Sequence, residues 1–341
     1  MSVPLEGAAV TVLFGPSGSG KTTVLRALAG LSRPQAGSIV ADGETWFDAA
    51  SGVSWPPQRR RVGLILQEPT LVQHLTVSQN VGYGLSRVSR AERDRRVSEL
   101  LALFGLEGLG DRRPHELSGG QRQRASLART VAPRPRLVLL DEPLSSIDGP
   151  AREDLREELR RLLHRAGTPA VLVTHDRTEA LALGDRLVVL DGGAVLQEGP
   201  APDVFLRPRD AAVARIVGVE SVLPGTVVGR EDGLLLIDAS GVRLWAVDDG
   251  RPHRDVSCCL RAEDVVLERG ELPQTSARNR LSGTVTEVVP EGPLARVLVD
   301  CGLALAARVT LRSVAELGLA PGVRVTAVFK APSLHLVARD V

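Results

Sequence analysis

The sequence predicts an α/β domain followed by a smaller all-β domain. Two observations near the amino terminus and mid-chain indicate the α/β part: an apolar strand runs into a glycine-rich loop and a helix, and a second apolar strand, Arg136 to Pro143, ends in two carboxylates. Buried parallel strands that deliver polar groups at their carboxyl ends are typical of α/β folds. After residue 218 the sequence pattern changes to short runs of β-branched residues separated by Gly and Pro. This pattern is typical of small OB-like barrels.

The glycine-rich loop is GPSGSGKT, Gly15 to Thr22, and matches the pattern G-x-x-x-x-G-K-[ST]. Its glycines permit a turn in which successive backbone N–H groups converge on phosphate oxygens at a helix N-terminus. Lys21 would reach the β and γ phosphates as a point charge, and Thr22 would place its hydroxyl on Mg²⁺. The strand before the loop and the helix pattern after it complete the expected context. The sequence therefore predicts an ATP site in a P-loop NTPase fold.

The second apolar strand delivers Asp141 and Glu142 to the same edge of the predicted sheet. Adjacent residues point to opposite sides of a strand, so the two acids are expected to do different jobs. Asp141 suits Mg²⁺ through water, and Glu142 suits the attacking water. A third strand, Pro169 to Asp176, ends near His175, whose imidazole could approach the γ phosphate.

The motif LSGGQ, Leu117 to Gln121, completes a set whose order is hard to generate by chance. With a glutamine at Gln67 and SSID ending at Asp148, the order resembles the ATP-binding subunits of ABC transporters over about Ala8 to Gly218. In that family the nucleotide lies between the phosphate loop of one subunit and the LSGGQ segment of its partner. The resemblance therefore implies a homodimer with two shared sites, and an ABC ATPase core with a helical subdomain over about residues 70–130.

The resemblance also assigns roles residue by residue. The residues assigned to contacts with the phosphates are Gly15, Pro16, Ser17, Gly18, Ser19, Gly20, Lys21, Thr22 and Thr23. The residues assigned to the γ phosphate of the opposite site are Ser118, Gly119, Gly120 and Gln121. Thr22, Gln67 and Asp141 are assigned to magnesium binding. Glu142, His175 and Gln67 are assigned to catalysis, and Asp148 is assigned to the subunit interface. Ser118 also suits an N-cap, so its helix would aim its dipole and free N–H groups at an anion.

One departure from the family concerns adenine. The family stacks the base on an aromatic side chain some distance before the phosphate loop, whereas the first aromatic residue here is Phe14, inside the strand. Loss of base stacking costs about 1 to 3 kcal/mol. Either the start codon is assigned too late or the domain lacks its opening hairpin. We expect the former, and sequencing of the native N-terminus would test it.

Composition narrows the function classes. A formal charge of +1 gives no bulk attraction to nucleic acid, and none is expected as a partner. The sequence contains neither a long apolar run nor a signal segment, so we expect a peripheral subunit at the cytoplasmic face of the plasma membrane. The cysteines Cys258, Cys259 and Cys301 lack metal spacing and are expected to be buried free thiols.

A transport role would require a separate integral membrane permease. The family docks its membrane partner on the segment from Gln67 to Leu85, and Leu71, Val72 and Leu75 are predicted to be exposed contacts there. A helical subdomain that packs its own leucines explains these residues almost as well.

The carboxyl-terminal part points to an oxyanion. The chain contains two lysines, Lys21 and Lys330, against forty arginines, which suggests that a compact, strongly hydrated charge is wanted at both places. The segment QTSARN and the stretch around Lys330 resemble the molybdate-binding, or Mop, domain over about Ser276 to Val337. A tetrahedral dianion offers only acceptors, so it needs hydroxyls, N–H groups and cations. The candidates are Ser276, Arg278, Asn279 and Lys330. Arg278 could instead pair with Glu287, and Asn279 could be a turn residue.

Three regions are therefore predicted: an ATP-binding domain over 1–218, a linker and first part of the barrel region over 219–275, and a Mop or TOBE oxyanion-binding domain over 276–341. The whole chain resembles the ATP-hydrolysing subunits of ABC molybdate importers. That resemblance implies ATP and Mg²⁺ as cofactors, molybdate as cargo and regulator, membrane permease subunits, and indirectly a periplasmic or surface molybdate-binding protein.

Three alternatives stay open. The cargo could be tungstate, sulfate or a sugar, although QTSARN with Lys330 argues against a sugar. A chromosome or DNA-repair ATPase shares the core motifs but separates the phosphate loop from LSGGQ by long coiled coils. An oxyanion sensor or buffer with an inactive ATPase is the third.

Overall fold

The computed structural model describes residue 3 and residues 8–66, 71–145, 149–270 and 275–339. The chain divides into two compact units, Met1–Val204 and Phe205–Val341. The predicted end of the first domain, at residue 218, falls inside the second unit. No helix in the described ranges is both long and apolar enough to cross a membrane.

A six-stranded sheet forms the centre of the first unit, in the order β5-β6-β7-β1-β8-β9. All neighbours are parallel except β8 and β9. The strands of this unit are β1 (Val10–Phe14), β2 (Ser38–Ala41), β3 (Glu44–Asp48), β4 (Val53–Ser54), β5 (Val62–Ile65), β6 (Leu137–Asp141), β7 (Ala170–Thr174), β8 (Arg186–Asp191) and β9 (Ala194–Pro200). A small antiparallel sheet contains β2, β3 and β4.

The helices of the first unit are α1 (Lys21–Ala29), α2 (Pro57–Arg60), α3 (Val77–Gly82), α4 (Arg90–Leu103), α5 (Gly119–Val131), α6 (Gly149–Ala166) and α7 (Arg177–Leu183). The division between the units falls within the next helix, α8 (Ala201–Leu206). Strands β1 and β7 are buried along their whole length, and Leu25 of α1 is buried in the core beside them. Because β1, β6 and β7 are parallel, the loops that follow them meet at one edge of the sheet. The phosphate loop, Glu142 and His175 lie in these loops, whereas LSGGQ lies at the start of α5.

Arg60 is a buried cation at the end of α1. Its guanidinium donates to the carbonyl oxygens of Ala27 and Leu28, and its Nε donates to Trp55 O at 3.0 Å. Ala27 and Leu28 belong to the last turn of α1, where carbonyl oxygens lack i+4 partners within the helix, and Ala27 O also accepts from Gly30 N at 3.1 Å. Arg60 therefore caps the helix that begins at the phosphate loop.

The helical subdomain contains α3, α4 and α5, and one buried asparagine organises its entry loop. Asn80 is fully buried; its Oδ1 accepts from Val72 N at 2.8 Å, and its Nδ2 donates to the carbonyls of Val72, Leu75 and Thr76 at 3.0 to 3.2 Å. The prediction that Leu71, Val72 and Leu75 are exposed is wrong. Leu71 is buried and the other two are half-buried, because Asn80 pulls this loop onto α3.

The second unit contains two five-stranded sheets, in the orders β12-β11-β10-β13-β19 and β14-β18-β15-β16-β17. Its strands are β10 (Ser221–Glu231), β11 (Leu234–Ala239), β12 (Val242–Val247), β13 (Asp255–Leu260), β14 (Val266–Glu268), β15 (Asn279–Glu291), β16 (Leu294–Asp300), β17 (Ala304–Thr310), β18 (Arg324–Phe329) and β19 (His335–Ala338). Helices α9 (Ala211–Ile216) and α10 (Leu311–Leu317) complete it, with 3-10 helices at Ala262–Asp264 and Ala331–Ser333. The predicted all-β class is confirmed.

The two sheets share one hydrophobic core, which contains Ile237 and Leu244 from the first sheet and Val297 and Phe329 from the second. The sheets also exchange strands along the chain. Strand β19 pairs with β13 in the first sheet, and β14 pairs with β18 in the second. The region 276–341 is therefore not a closed barrel on its own.

The three cysteines are free thiols. Cys258 and Cys259 are buried as predicted, whereas Cys301 is half-buried. Burial raises the pKa of Cys258 to about 12, and the pKa values of Cys259 and Cys301 to about 11. Thiols with such high pKa values are poor nucleophiles, which fits a structural role.

Candidate nucleotide and oxyanion sites

The phosphate loop connects β1 to α1 and depends on two of its glycines. A Cβ at Gly15 would lie 2.1 Å from the carbonyl oxygen of Leu190, so the loop can pass β8 only with glycine here. Gly20 precedes α1 with a φ of 99°, a left-handed conformation that glycine adopts without strain. Ser19 N donates to Pro16 O at 3.2 Å and closes the turn. The loop is thus preformed at the N-terminus of α1.

Lys21 is buried beneath this loop. Its Nζ donates to Gly15 O at 2.8 Å and to Pro16 O at 2.7 Å. Burial lowers the pKa of Lys21, while the nearby carboxylates of Glu142 and Asp141 act to raise it. The ammonium group is therefore held inside the loop by backbone carbonyls that a phosphate oxygen can replace.

A turn that the sequence reasoning missed supports the loop from the side. Gly193 lies between β8 and β9, and its N–H donates to Ser19 O at 3.1 Å. Its Cα lies only 3.6 Å from where a Cβ at Gly20 would stand. The pair Gly192–Gly193 after an apolar strand signals a tight turn, but the contact with the loop depends on the sheet order.

Asp141 and Thr22 meet at the carboxyl edge of the sheet. Thr22 Oγ1 donates to Asp141 Oδ1 at 3.2 Å. Burial raises the pKa of Asp141, and the cations of Arg26 and Lys21 act in the opposite direction. A hydroxyl and a carboxylate oxygen side by side form a hard donor set of the kind that Mg²⁺ prefers.

Glu142 follows Asp141 in a left-handed backbone conformation, with a φ of 45°. Its N–H donates to Val173 O at 3.0 Å, and its Oε1 lies 2.9 Å from His175 Nδ1. A non-glycine residue in this conformation costs about 1 kcal/mol, and such strain is concentrated at functional sites. The structure therefore brings together Asp141, Glu142 and His175 at the end of β6 and β7, with the two acids facing different partners.

The LSGGQ segment begins α5. Ser118 Oγ accepts from Gln121 N at 3.2 Å, and Gln121 Oε1 accepts from Ser118 N at 2.9 Å. This capping box confirms the predicted N-cap. Ser118 and Gly119 are exposed, and Gly120 is half-buried. The first N–H groups of a 13-residue helix thus face the surface.

The other residues assigned to the nucleotide site divide into two groups. Pro16, Ser17, Gly18 and Thr23 are exposed on the loop and the first turn of α1, whereas Ser19 is buried within the loop. Gln67 and Asp148 lie outside the described residues.

The candidate oxyanion residues gather at one end of neighbouring strands. In the antiparallel pair β15 and β18, Asn279 lies opposite Phe329. Arg278 and Lys330 flank that pair at the same end of the two strands, and both are exposed. Ser276 is exposed two positions before Arg278. The register therefore brings the backbones of Arg278 and Lys330 side by side at the surface of the second unit, with Ser276 two residues farther along the chain.

Asn279 differs from these three because its side chain is buried. Its Oδ1 accepts from Trp245 N at 2.7 Å, and its Nδ2 donates to Trp245 O at 2.9 Å. Trp245 belongs to β12 of the other sheet, so the amide connects the two sheets behind the candidate oxyanion site. The sequence showed no signal for this pairing, since the two residues lie in different runs.

Comparison with known proteins agrees with this geometry. The family model described as ABC transporter matches residues 1–145, and the TOBE domain model matches residues 275–336. The molybdenum import ATP-binding protein ModC of Albidiferax ferrireducens is 39% identical over 97% of this chain and 90% of its own length. The chain belongs to the ModC family of ABC transporter ATP-binding proteins. The ModC protein of Thiobacillus denitrificans is also 39% identical, over 98% of this chain and 93% of its own length.

A solved structure of an ABC transporter component is similar to part of this ModC family chain. The structure of cbiO1 from Clostridium perfringens, described as part of the ABC transporter complex cbiONQ, shares 26% identity and a TM-score of 0.54. The match covers 64% of this chain and 86% of that one. The predicted ABC ATPase fold is confirmed. Among the described residues between the phosphate loop and LSGGQ, the longest helix is α4, with 14 residues, so the coiled coil of the DNA-repair alternative is not found there.

Proposed function

We propose that this ModC family chain is the ATP-hydrolysing subunit of a molybdate importer. The observation that carries the proposal is the meeting of the phosphate loop, the Thr22–Asp141 pair and the Glu142–His175 pair at one edge of the parallel sheet. This arrangement combines a cradle for phosphates, a magnesium donor set and a base for water, which are the parts that phosphoryl transfer to water requires.

Binding of ATP begins at the preformed loop. The backbone N–H groups at the start of α1 receive the phosphates, and the helix dipole favours their negative charge. The Nζ of Lys21 exchanges the carbonyls of Gly15 and Pro16 for phosphate oxygens. This exchange replaces two bonds to neutral carbonyl oxygens with bonds to charged phosphate oxygens, in which both donor and acceptor are ionised.

Thr22 and Asp141 would hold magnesium, with Gln67 as a further ligand. The oxygen atoms of Thr22 and Asp141 already lie in contact, so they fit an ion that prefers hard oxygen donors. When bound, Mg²⁺ would neutralise charge on the phosphate oxygens. Asp141 is half-buried with a raised pKa, so a nearby cation would favour its charged form.

Glu142 acts as the general base for the attacking water. Its Oε1 is fixed by His175 Nδ1, and its backbone is fixed to β7 through Val173 O. A carboxylate held at two points can accept a proton from water without losing its orientation. His175 is exposed on its other side, where its imidazole can reach the γ phosphate.

A second copy of the chain would complete each site. The exposed N-terminus of α5, with Ser118, Gly119, Gly120 and Gln121, offers N–H groups to a γ phosphate, and Asp148 would lie at the same interface. The Ser118 hydroxyl accepts from Gln121 N and keeps its own hydrogen to donate, so it can join the backbone N–H groups of Gly119 and Gly120 as a donor to the phosphate. Closure of such a homodimer around ATP would drive the permease from one access state to the other.

The ATPase proposal is tested with Glu142→Gln. We expect ATP affinity within about twofold of the wild type and a kcat lower by about 100-fold or more, because the amide cannot accept the proton. ATP turnover and nucleotide binding are measured on the full chain. Glu157→Gln, at an exposed position of α6, serves as the control and keeps the wild-type rate. Unchanged hydrolysis in Glu142→Gln would refute the role of Glu142.

Molybdate is proposed as the cargo and as a ligand of the second unit. The ModC relatives are named for molybdenum import, and the exposed Arg278 and Lys330 directly adjoin the Asn279–Phe329 position of the β15–β18 pair, which supports a site for an anion there. The test is calorimetric titration of the full chain with molybdate, tungstate and sulfate, alongside Lys330→Ala. Molybdate binding that is lost in Lys330→Ala supports both cargo and site. Binding of none of the three would reject the oxyanion site and leave the ATPase proposal intact.

The membrane partner is proposed to be a ModB-like permease that docks on the helical subdomain, with a ModA-like molybdate-binding protein on the far side. A groove of about 640 Å³ lies between α3 and α4, with Leu75, Tyr83 and Leu101 in its lining. Tyr83 is 59% exposed, which is unusual for a side chain of its size in this unit. Docking here would place the chain as a peripheral protein at the cytoplasmic face of the membrane.

A further inference from the structure

A ring of hydrogen bonds closes the turn between β7 and α7, directly behind His175. Asp176 N donates to Thr174 Oγ1 at 3.0 Å, and Glu179 N donates to Asp176 Oδ1 at 2.9 Å. The hydroxyl of Thr174 donates in turn to Glu179 Oε2. His175 lies between two members of this ring but contributes no side chain to it.

The ring is buried although His175 is not. Thr174 is 1% exposed and Glu179 is 5% exposed, whereas the side chain of His175 is 61% exposed. Glu179 Oε1 is buried without a hydrogen-bond partner among the residues that the structure describes. Burying a carboxyl group in this way is unfavourable, and an apolar side chain would pack at this helix position at lower cost. The hydrogen bond to Thr174 is the contact that accounts for a glutamate here.

The surroundings of Glu179 connect it to the nucleotide site. A cavity of about 110 Å³ is lined by Glu142, His175 and Glu179 together. Burial raises the pKa of Glu179, the hydrogen bond from Thr174 and the cation of Arg156 act to lower it, and the nearby acids Asp176 and Glu142 act in the same direction as burial. The pocket that holds Glu179 therefore raises its pKa and joins it to the two residues of the Glu142–His175 pair.

We propose that Glu179 is a positioning residue of the ATPase reaction, which fixes the turn that carries His175 through Thr174 and Asp176. The inference rests on the proposed function, because Glu179 would act on ATP hydrolysis only by positioning His175 and, through it, Glu142. The N–H of Glu142 bonds to Val173 O, so the backbone on both sides of the His175–Glu142 contact is fixed by this stretch. Without the ring of hydrogen bonds, the imidazole of His175 can still form hydrogen bonds, but it is no longer held in position beside Glu142.

The test compares Glu179→Ala, Glu179→Gln and Thr174→Val in the full chain, by steady-state ATPase kinetics. We expect Glu179→Ala to lower kcat about tenfold with KM for ATP unchanged, because binding of the phosphates does not use this turn. Thr174→Val removes the same contact and should give a similar loss. Glu179→Gln still accepts from Thr174 and should retain most of kcat.

A double-mutant cycle with His175→Ala separates positioning from general destabilisation. If Glu179 acts through His175, adding Glu179→Ala to His175→Ala lowers kcat no further. Losses that multiply, or a wild-type kcat in both Glu179→Ala and Thr174→Val, would overturn the proposal. If Glu179→Ala fails to fold, the same test is made with Thr174→Val, by comparing its kcat alone and in a double-mutant cycle with His175→Ala. A wild-type chain with no ATPase activity would instead overturn the proposed function.

Discussion

Single side chains at the two sites are held by contacts that are remote in sequence. The Lys21 ammonium donates to loop carbonyls, and the Glu142 N–H donates to a carbonyl of β7. The Asn279 amide bonds both the N–H and the C=O of Trp245. In each case the residue type was evident from the sequence, whereas the partner was not. The contact with Trp245 argues against Asn279 as a main ligand of the oxyanion, because an amide that already bonds β12 has less hydrogen-bonding capacity left for an anion.

The Asn279 pairing predicts a loss of stability that is independent of ligand. Asn279→Ala leaves the N–H and C=O of Trp245 without partners, so we expect the free energy of unfolding to fall by about 2 to 3 kcal/mol. Lys330→Ala, at an exposed position of the same strand ends, should change it by less than about 0.5 kcal/mol. Urea unfolding followed by circular dichroism measures both. Equal stability of the two variants would contradict the structural role of Asn279.

Elements whose signal is local were predictable. The strand, loop and helix around Gly15 to Thr22, the strand ending at Asp141 and the N-cap at Ser118 all follow from patterns within one short segment. Seven strands of the second unit were visible as β-branched runs, namely β10, β11, β12, β15, β16, β17 and β18. Strands β13, β14 and β19 were missed. The sequence of β13, DVSCCL, contains two cysteines and a serine, and its burial comes from its central place in the sheet.

The capping of α1 by Arg60 could not be predicted from a local pattern, because the small β-sheet separates the arginine from the helix in the sequence. Arg60→Met keeps the length of the side chain and removes its hydrogen bonds to the end of α1. We expect a loss of about 3 kcal/mol in the free energy of unfolding, since bonds from a charged donor to buried carbonyls are lost. Arg59→Met, which removes only a stacking contact 3.8 Å above Trp55, should cost about 0.5 to 1 kcal/mol. Similar losses in both variants would argue against the cap.

At the scale of the whole molecule, stability should depend on pH partly through His335. Burial lowers the pKa of His335 from its ordinary value of 6.5, and its Nε2 donates to Pro208 O at 3.1 Å. The folded chain therefore favours neutral His335, with Arg207 and Arg251 acting in the same direction and Asp249 against them. The unfolded chain takes up the proton first as pH falls. This contribution is complete above pH 6.5 and is lost as pH falls from 6.5 toward the lowered pKa.

The corresponding measurement is the free energy of unfolding between about pH 7.5 and about pH 5.5, for the wild type and for His335→Gln. The wild type should lose stability relative to the variant as pH falls, because the glutamine can keep the bond to Pro208 O and does not titrate. His115→Gln, on an exposed side chain, is the control and should follow the wild type. Parallel curves for the wild type and His335→Gln would contradict the burial argument.

The exchange of strands between the two sheets has a consequence for how members of this family can be recombined. A chimaera joined near residue 275, where the TOBE match begins, would bring β19 from one parent into a sheet built by the other and would separate β14 from β18. A junction directly after α8, at Arg207 and close to the division between the two units, leaves that helix whole and keeps both sheets and their common core within one parent. Oxyanion specificity should therefore be inherited with the whole of residues 207–341, and grafting the Mop-like segment alone should disturb folding before it transfers selectivity.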